Sequence, residues 1–327
     1  MNVSARRATS GHGRRAVLAA CAACLLGVAA PRARANAHDG PDDVYLIAAD
    51  QASHRVLVIG CARDGVAAVV RWSWSAVSDP LLADLDPAHT WRNVSEAKVR
   101  VLDGRGLLLA GASEGLAVAL TYPQAEVLWA TVIPTLNVHS LEVLPEGNVA
   151  VAASDPGVVR VYAAALGPRS EAFVSFDLPG AHGVYWDQAR GVLWAVGYSD
   201  LVALQVGGTT SAPTLTLVLR VALPDPSGHD LDRVAADPSR LWVTTGGHVW
   251  QYDADAGQFV GYAGRSAIDT AGVKSVGDNP LTGRVLTVQP EPGNACTWCT
   301  SSVALHLPED TVRLPGASLY KARWLLR

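Results

Sequence analysis

The sequence predicts an all-β chain built as a six-bladed β-propeller, with one blade shared between its N- and C-terminal strands. Three observations predict it. A unit of short apolar strands recurs five times at spacings of 41, 43, 47 and 45 residues, which is the period of a propeller blade. Each unit reads as four strands separated by Gly, Asp, Pro or Asn turns, and a four-stranded sheet of this size buries its faces only against neighbours like itself. A sixth unit is divided between the two ends of the chain.

The first 37 residues read as an export signal. Arg6, Arg7, Arg14 and Arg15 precede an apolar run from Ala16 to Ala30, and small residues follow up to Ala37. The run is short for a bilayer span, so a cleaved signal peptide is expected rather than an anchor, with residues 38–327 as a single propeller domain. The pair Arg14-Arg15 suggests the twin-arginine route. A competing reading takes Leu18-Ala19-Ala20-Cys21 as a lipobox, which would lipidate Cys21. Either way the mature protein is expected to be secreted or held in the cell envelope, with no membrane span after cleavage.

Losing residues 1–37 removes six arginines and no acid, so 26 basic residues become 20 against 30 acidic ones. That balance argues against a nucleic-acid partner. The 49% apolar and 17% charged composition is ample for a large core. Cys61, Cys296 and Cys299 remain. In an exported chain Cys296-Thr297-Trp298-Cys299 reads as a local disulfide pinning a loop, because a zinc site of this type needs a second ligand pair. Cys61 reads as an ordinary buried thiol.

The strands follow in order. The N-terminal stretch supplies "DVYLIAAD", "HRVLVIG" and "VAAVVRWSW". The units begin at Lys98, His139, His182, His229 and Lys274, and "KVRVLDGRGLLLAGASEGLAVAL" aligns without a gap on "HSLEVLPEGNVAVAASDPGVVRVY". Fourth strands are more variable, as in "EVLWATV", "FVSFDL", "TLTLVLRV" and "GQFVGYA". Near the C-terminus "YKARWLL" repeats an opening strand and completes the N-terminal blade, which would leave no open sheet edge. A β-sandwich also gives many short strands, but the gapless repeat and the split unit argue against it. No helix-period stretch appears after residue 43.

In a propeller the opening strand of each blade lines the axis, with its first residue at the mouth. The expected ring is therefore Lys321, Lys98, His139, His182, His229 and Lys274: three lysines on one arc and three histidines on the other. Six titratable, potentially cationic side chains on one axis would repel one another if all were charged and nothing bound there, so a small anionic ligand, carboxylated or sulfated and carbohydrate-like, is expected. A purely structural reading stands beside it, because channels are wet and duplication copies harmless polar residues. The longest insertion would bring Trp72, Trp74, Trp91, Asn93 and Glu96 to the rim, and the cysteine loop would bring Trp298. Trp91, Asn93 and Trp298 are the candidate ligand contacts among these, although Trp72 and Trp74 could equally fill gaps between blades.

Two chemistries fit the histidine arc. His139, His182 and His229 could hold a divalent metal, Zn or Mn, with an open position. Alternatively a metal-free histidine acts as base or nucleophile while lysines neutralise an anion. Plain binding needs neither, so enzyme activity stays open, as does oligomeric state. Asp230 and Glu142 could support the histidines or be solvated. The alternative from another class is a protein-interaction scaffold that uses its rim loops and keeps the axis purely structural.

The phrases "ADQASHRVLV", "NVHSLEVLPEGNVAVAAS", "AHGVYWD", "GHDLDRV", "RLWVTT" and "YKARW" resemble a family of secreted bacterial propeller proteins defined only as a domain of unknown function. The resemblance covers nearly the whole mature chain and implies fold and export but no activity. His139 and the turn Leu144 to Asn148 are also similar to the blade phrase of bacterial arylsulfotransferases, in which an axial histidine carries sulfate. That resemblance would give His139 a nucleophilic role, yet the arginine and the extra N-terminal domain of that family have no counterpart here. Oligogalacturonate lyases, which hold a metal with axial histidines, share only the architecture and have seven blades.

Overall fold

The computed structural model describes residues 44–61, 68–133 and 137–325; the expected export signal lies outside them, as does the side chain of Cys61. Among the described residues, alternating apolar residues and Gly- or Asp-centred turns give 24 strands in six antiparallel sheets of four. The split blade holds β1 (Val44–Asp50), β2 (Arg55–Cys61) and β3 (Val69–Trp74). The second blade is β4 (Val94–Leu102), β5 (Arg105–Ala112), β6 (Leu116–Thr121) and β7 (Val127–Val132). The third is β8 (Val138–Val143), β9 (Val149–Ala153), β10 (Val158–Tyr162) and β11 (Phe173–Asp177). The fourth is β12 (Gly183–Asp187), β13 (Val192–Val196), β14 (Asp200–Thr209) and β15 (Ala212–Ala222). The fifth is β16 (Asp230–Arg233), β17 (Arg240–Thr244), β18 (Val249–Asp253) and β19 (Gln258–Val260). The sixth is β20 (Ser275–Asp278), β21 (Val285–Val288), β22 (Ser302–His306) and β23 (Asp310–Arg313). The C-terminal β24 (Leu319–Trp324) pairs with β1 and closes the ring, as the divided repeat predicts.

The opening strands touch in ring order, β4 to β8, β12, β16, β20, β24 and back to β4, so they enclose the axis. The core is six wedges, each filled by the facing sides of two neighbouring blades; Trp194 and Tyr252, for instance, fill the wedge between the fourth and fifth. Middle strands such as β9 are buried on both faces for this reason. Gly183 permits the close approach of two inner strands, since a Cβ there would lie 2.9 Å from the Leu231 nitrogen.

Two expectations change. Closure adds β24 to the split sheet but abolishes no edge: each four-stranded sheet keeps an inner edge strand at the axis and an outer one, and β15 exposes Leu217, Val218 and Leu219 along its own. The insertion before β4 folds back onto the scaffold instead of carrying tryptophans to the rim. Trp91 is fully buried, packs edge-on to Trp74 at 5.2 Å and donates to the His54 carbonyl. Trp72 is buried against Tyr122. Trp91 is thereby corrected from ligand contact to core, because its large apolar surface gains more from the wedge than from the rim. No helix among the described residues is long and apolar enough to cross a membrane.

Candidate functional site

The ring at the mouth differs from the expected one at two positions. At the head of β8 the ladder skips His139, passing from the Val138–Ala153 pair to Ser140–Ala152, and this bulge turns the histidine onto the axis. The same skip falls at Ser95 in β4 and at Tyr320 in β24. The ring is therefore Ser95, His139, His182, His229, Lys274 and Tyr320. Lys98 and Lys321 lie deeper, fully buried inside the channel.

The error over Lys98 has a physical cause. Asp103 and Gly104 take φ of 49° and 74°, the left-handed pair of a two-residue hairpin turn, and this lets β4 and β5 run longer than β8 and β9. The second strands align at the 41-residue spacing, but the first strands are offset by the extra length. A gapless alignment carries the wrong register to the axis. In β24 the bulge sets Tyr320 at the mouth, one residue ahead of the Lys321 that the charge pattern of the repeat predicts there.

Four bases and four acids plug the channel beneath the ring. Arg323 donates to both Glu96 oxygens at 3.0 Å and to Asp230 at 2.7 Å, and it also reaches Asp232 at 3.2 Å. Lys321 lies 3.3 Å from Asp230 and donates to the His139 carbonyl. Lys98 donates to Ser140 Oγ and to the Val184 carbonyl and lies 3.5 Å from Glu96. Arg100 joins Glu142 to Asp232. Burial raises the Glu96 pKa, but Arg323, Lys98 and Lys321 outweigh it and hold the group at about 2. Asp230 and Glu142 thus belong to the plug rather than to the histidines.

Above the plug is a cavity of about 590 Å³ lined by His139, His182, His229, Lys274, Tyr320 and Trp298, with a rim of Gln51, Asn93, Asn137, Glu114 and Asp155. Two blades build this rim alike: Asn93 donates to Glu114, and Asn137 to Asp155. Trp298 is 45% exposed and its indole donates to Gln51, beside the Cys296–Cys299 disulfide that the spacing predicts. Sequence reasoning missed Tyr320, Asn137 and Gln51; the signal for Tyr320 was "YKARW" set directly against "HSLEV".

The imidazoles form a stack, His139 over His182 at 4.0 Å and 16°, and His182 to His229 at 4.5 Å and 32°. Stacked rings hold their nitrogens side by side rather than converging, and among the described residues no group of three His, Cys, Asp or Glu is arranged to hold a metal ion. The expected Zn or Mn site at His139, His182 and His229 is not formed by this arrangement. Burial, the neighbouring His182 and the ammoniums of Lys321 and Lys274 push the His139 pKa well below the usual range. His229 moves the same way, and burial brings His182 to about 4. The stack is thus neutral at pH 7. His182 donates Nδ1–H to the Gly180 carbonyl at 2.8 Å, which leaves Nε2 bare. Lys274 is half-buried, and its ammonium has no hydrogen-bond or ion-pair partner among the described residues; burial and Lys321 lower its pKa.

Among solved structures the chain is similar to a protein of unknown function from Bacteroides caccae, at 13% identity over 80% of this chain and 89% of that one, with a TM-score of 0.52. It is also similar to a chain of a mitotic checkpoint complex (11% identity, 80% and 69% covered, TM-score 0.48) and to a streptogramin B lyase (11%, 68% and 68%, TM-score 0.42). Identities this low speak to fold alone, and the latter two are too distant to say more. No curated protein matches, so the arylsulfotransferase likeness rests on His139 and its following turn alone. The family model that does match spans residues 13–327, nearly the whole chain, and by that match the protein belongs to the family of unknown function DUF6528.

Proposed function

We propose that the mouth binds a small polar ligand whose anionic group, a carboxylate or sulfate on a carbohydrate-like body, is seated on Lys274. One observation carries this reading: among the described residues every cation of the axis is paired except the half-buried Lys274. A half-buried ammonium without an acceptor is costly, and a ligand anion would satisfy it. The ligand contacts are then Lys274, the bare Nε2 of His182, Asn93 and Trp298. Lys98 and Lys321 hold the plug. The alternative scaffold working through rim loops has less behind it, since Trp72, Trp74 and Trp91 of the longest insertion are buried.

A catalytic role, if the bound molecule reacts, falls first to His182. Its Nδ1–H bond to Gly180 presets the tautomer that a general base or nucleophile needs. Export of the chain through residues 1–37 is part of the same proposal, and the Cys296–Cys299 disulfide supports an oxidising compartment.

Calorimetry with glucuronate and glucose 6-sulfate against neutral glucose tests the reading. The two anions should bind and glucose should not, and Lys274→Met should weaken anion binding at least about tenfold, the loss of roughly 1.4 kcal/mol or more. Equal binding of charged and neutral sugars, or an unaltered Lys274→Met, would refute it.

A further inference from the structure

The hydroxyl of Tyr320 sits between two imidazoles, 3.1 Å from His139 Nδ1 and 3.0 Å from His229 Nε2. Tyr320 is held as the neutral phenol by burial and by the nearby Asp230 and Glu96 carboxylates, and both imidazoles are neutral as well. A phenol has one proton to give, so it donates to one ring and accepts N–H from the other. Two arrangements satisfy this. If Tyr320 donates to His139, both histidines carry their proton on Nε2; if it donates to His229, both carry it on Nδ1.

The nitrogens turned away from Tyr320 are His139 Nε2 and His229 Nδ1. Neither has a hydrogen-bond partner among the described residues and neither is sealed off as a buried orphan, so both meet the cavity. In the first arrangement His139 offers the cavity an N–H and His229 a lone pair; in the second the roles are reversed.

We propose that His139, Tyr320 and His229 form one proton relay, which shows the mouth a donor and an acceptor that exchange places together and so suits the transfer of a proton between two positions of a bound hydroxy or keto acid. This rests on the reading of the mouth as a binding pocket. Starting from the second arrangement, bare His139 Nε2 takes a proton from the ligand as that bond breaks. His139 Nδ1–H passes to the Tyr320 oxygen, the Tyr320 O–H passes to His229 Nε2, and His229 Nδ1–H returns a proton to the ligand. Both rings and the phenol end neutral in the first arrangement, and the ligand keeps its atoms and oxidation level with one proton moved. Tyr320 touches no ligand in this scheme and is a positioning residue.

The test is nitrogen-15 NMR of the labelled, ligand-free protein near neutral pH. In wild type, His139 and His229 should be protonated on the same-named nitrogen, or should average together with shifts that move in step with temperature, while His182 stays on Nδ1. Finding one ring on Nδ1 and the other on Nε2 overturns the relay, and this decides the matter even if variants fold poorly. In Tyr320→Phe the two rings should lose their common behaviour, with amide spectra reporting the intact fold; unchanged, still coupled tautomers would also overturn it. The Lys274→Met binding experiment is independent, so the relay and the pocket fail separately.

Discussion

Lys274 and Lys321 come from neighbouring strands at the hub, one residue apart in ring register, and their surroundings are opposite. The Lys321 ammonium meets Asp230, Glu96 and a main-chain carbonyl, whereas that of Lys274 meets no protein acceptor among the described residues. The same contrast separates the two layers around them. The plug carries four positive and four negative side chains in mutual contact, while the mouth carries neutral imidazoles, the Lys274 ammonium with no ion-pair partner among the described residues, and two rim carboxylates, Glu114 and Asp155, held by asparagine amides. A saturated network has nothing left to offer a ligand, and the unsaturated layer is where recognition can occur.

The largest expected effect comes from breaking the saturated side. Arg323→Leu strips Glu96 and Asp230 of their shared guanidinium and leaves buried carboxylates with incomplete partners, so stability should fall by about 3–5 kcal/mol. Lys274→Met removes a charge that the fold does not use and should change stability by less than about 1 kcal/mol in either direction. Urea unfolding of the two variants beside wild type measures both. Similar losses in the two would erase the distinction between plug and mouth.

Acid should separate the layers along the pH axis. The mouth histidines have lowered pKa values, so below 6.5 the unfolded chain takes up protons that the native stack refuses; stability falls between pH 6.5 and the His182 value of about 4. Glu96 and Asp232 are held at about 2, so their contribution is present above the unfolded carboxylate range and is lost only as pH drops through about 4 toward 2. Two successive declines are expected. His182→Asn should flatten the upper one by roughly 1–3 kcal/mol and leave the lower one in place. A single decline confined below pH 4 would mean that the imidazoles take up protons in the native state as readily as they do unfolded.

The sequence carries the wheel better than the hub. Blade number, strand order and closure by β24 were legible because they depend on turns and apolar alternation repeated six times, and repetition averages out local irregularity. His139, His182, His229 and Lys274 were placed correctly because their strands have similar hairpin lengths. Lys98 was misplaced by a longer hairpin with a tight Asp103-Gly104 turn, a difference that the total repeat length conceals. Tyr320 escaped because its role depends on contacts with His139 and His229, which are far away in the chain. Trp91 lies in the core rather than at the rim because its loop folds back, which its position in an insertion does not encode. What remained hidden in each case was register or long-range contact, which a single sequence encodes weakly.

The smallest expected effect tests whether the mouth extends to its rim. Trp298 is half-exposed on the disulfide-pinned loop and makes one hydrogen bond, to Gln51, so Trp298→Ala should alter stability by no more than about 0.5 kcal/mol. If its indole lies against the sugar ring of a ligand whose acid group is on Lys274, the loss of that face should cost about 0.5–1.5 kcal/mol of binding, roughly two- to tenfold. The glucuronate titration reads this directly, and the double variant with Lys274→Met should show close to additive losses because the two side chains grip different parts of the molecule. An unchanged affinity in Trp298→Ala would confine the binding surface to the imidazole stack and Lys274.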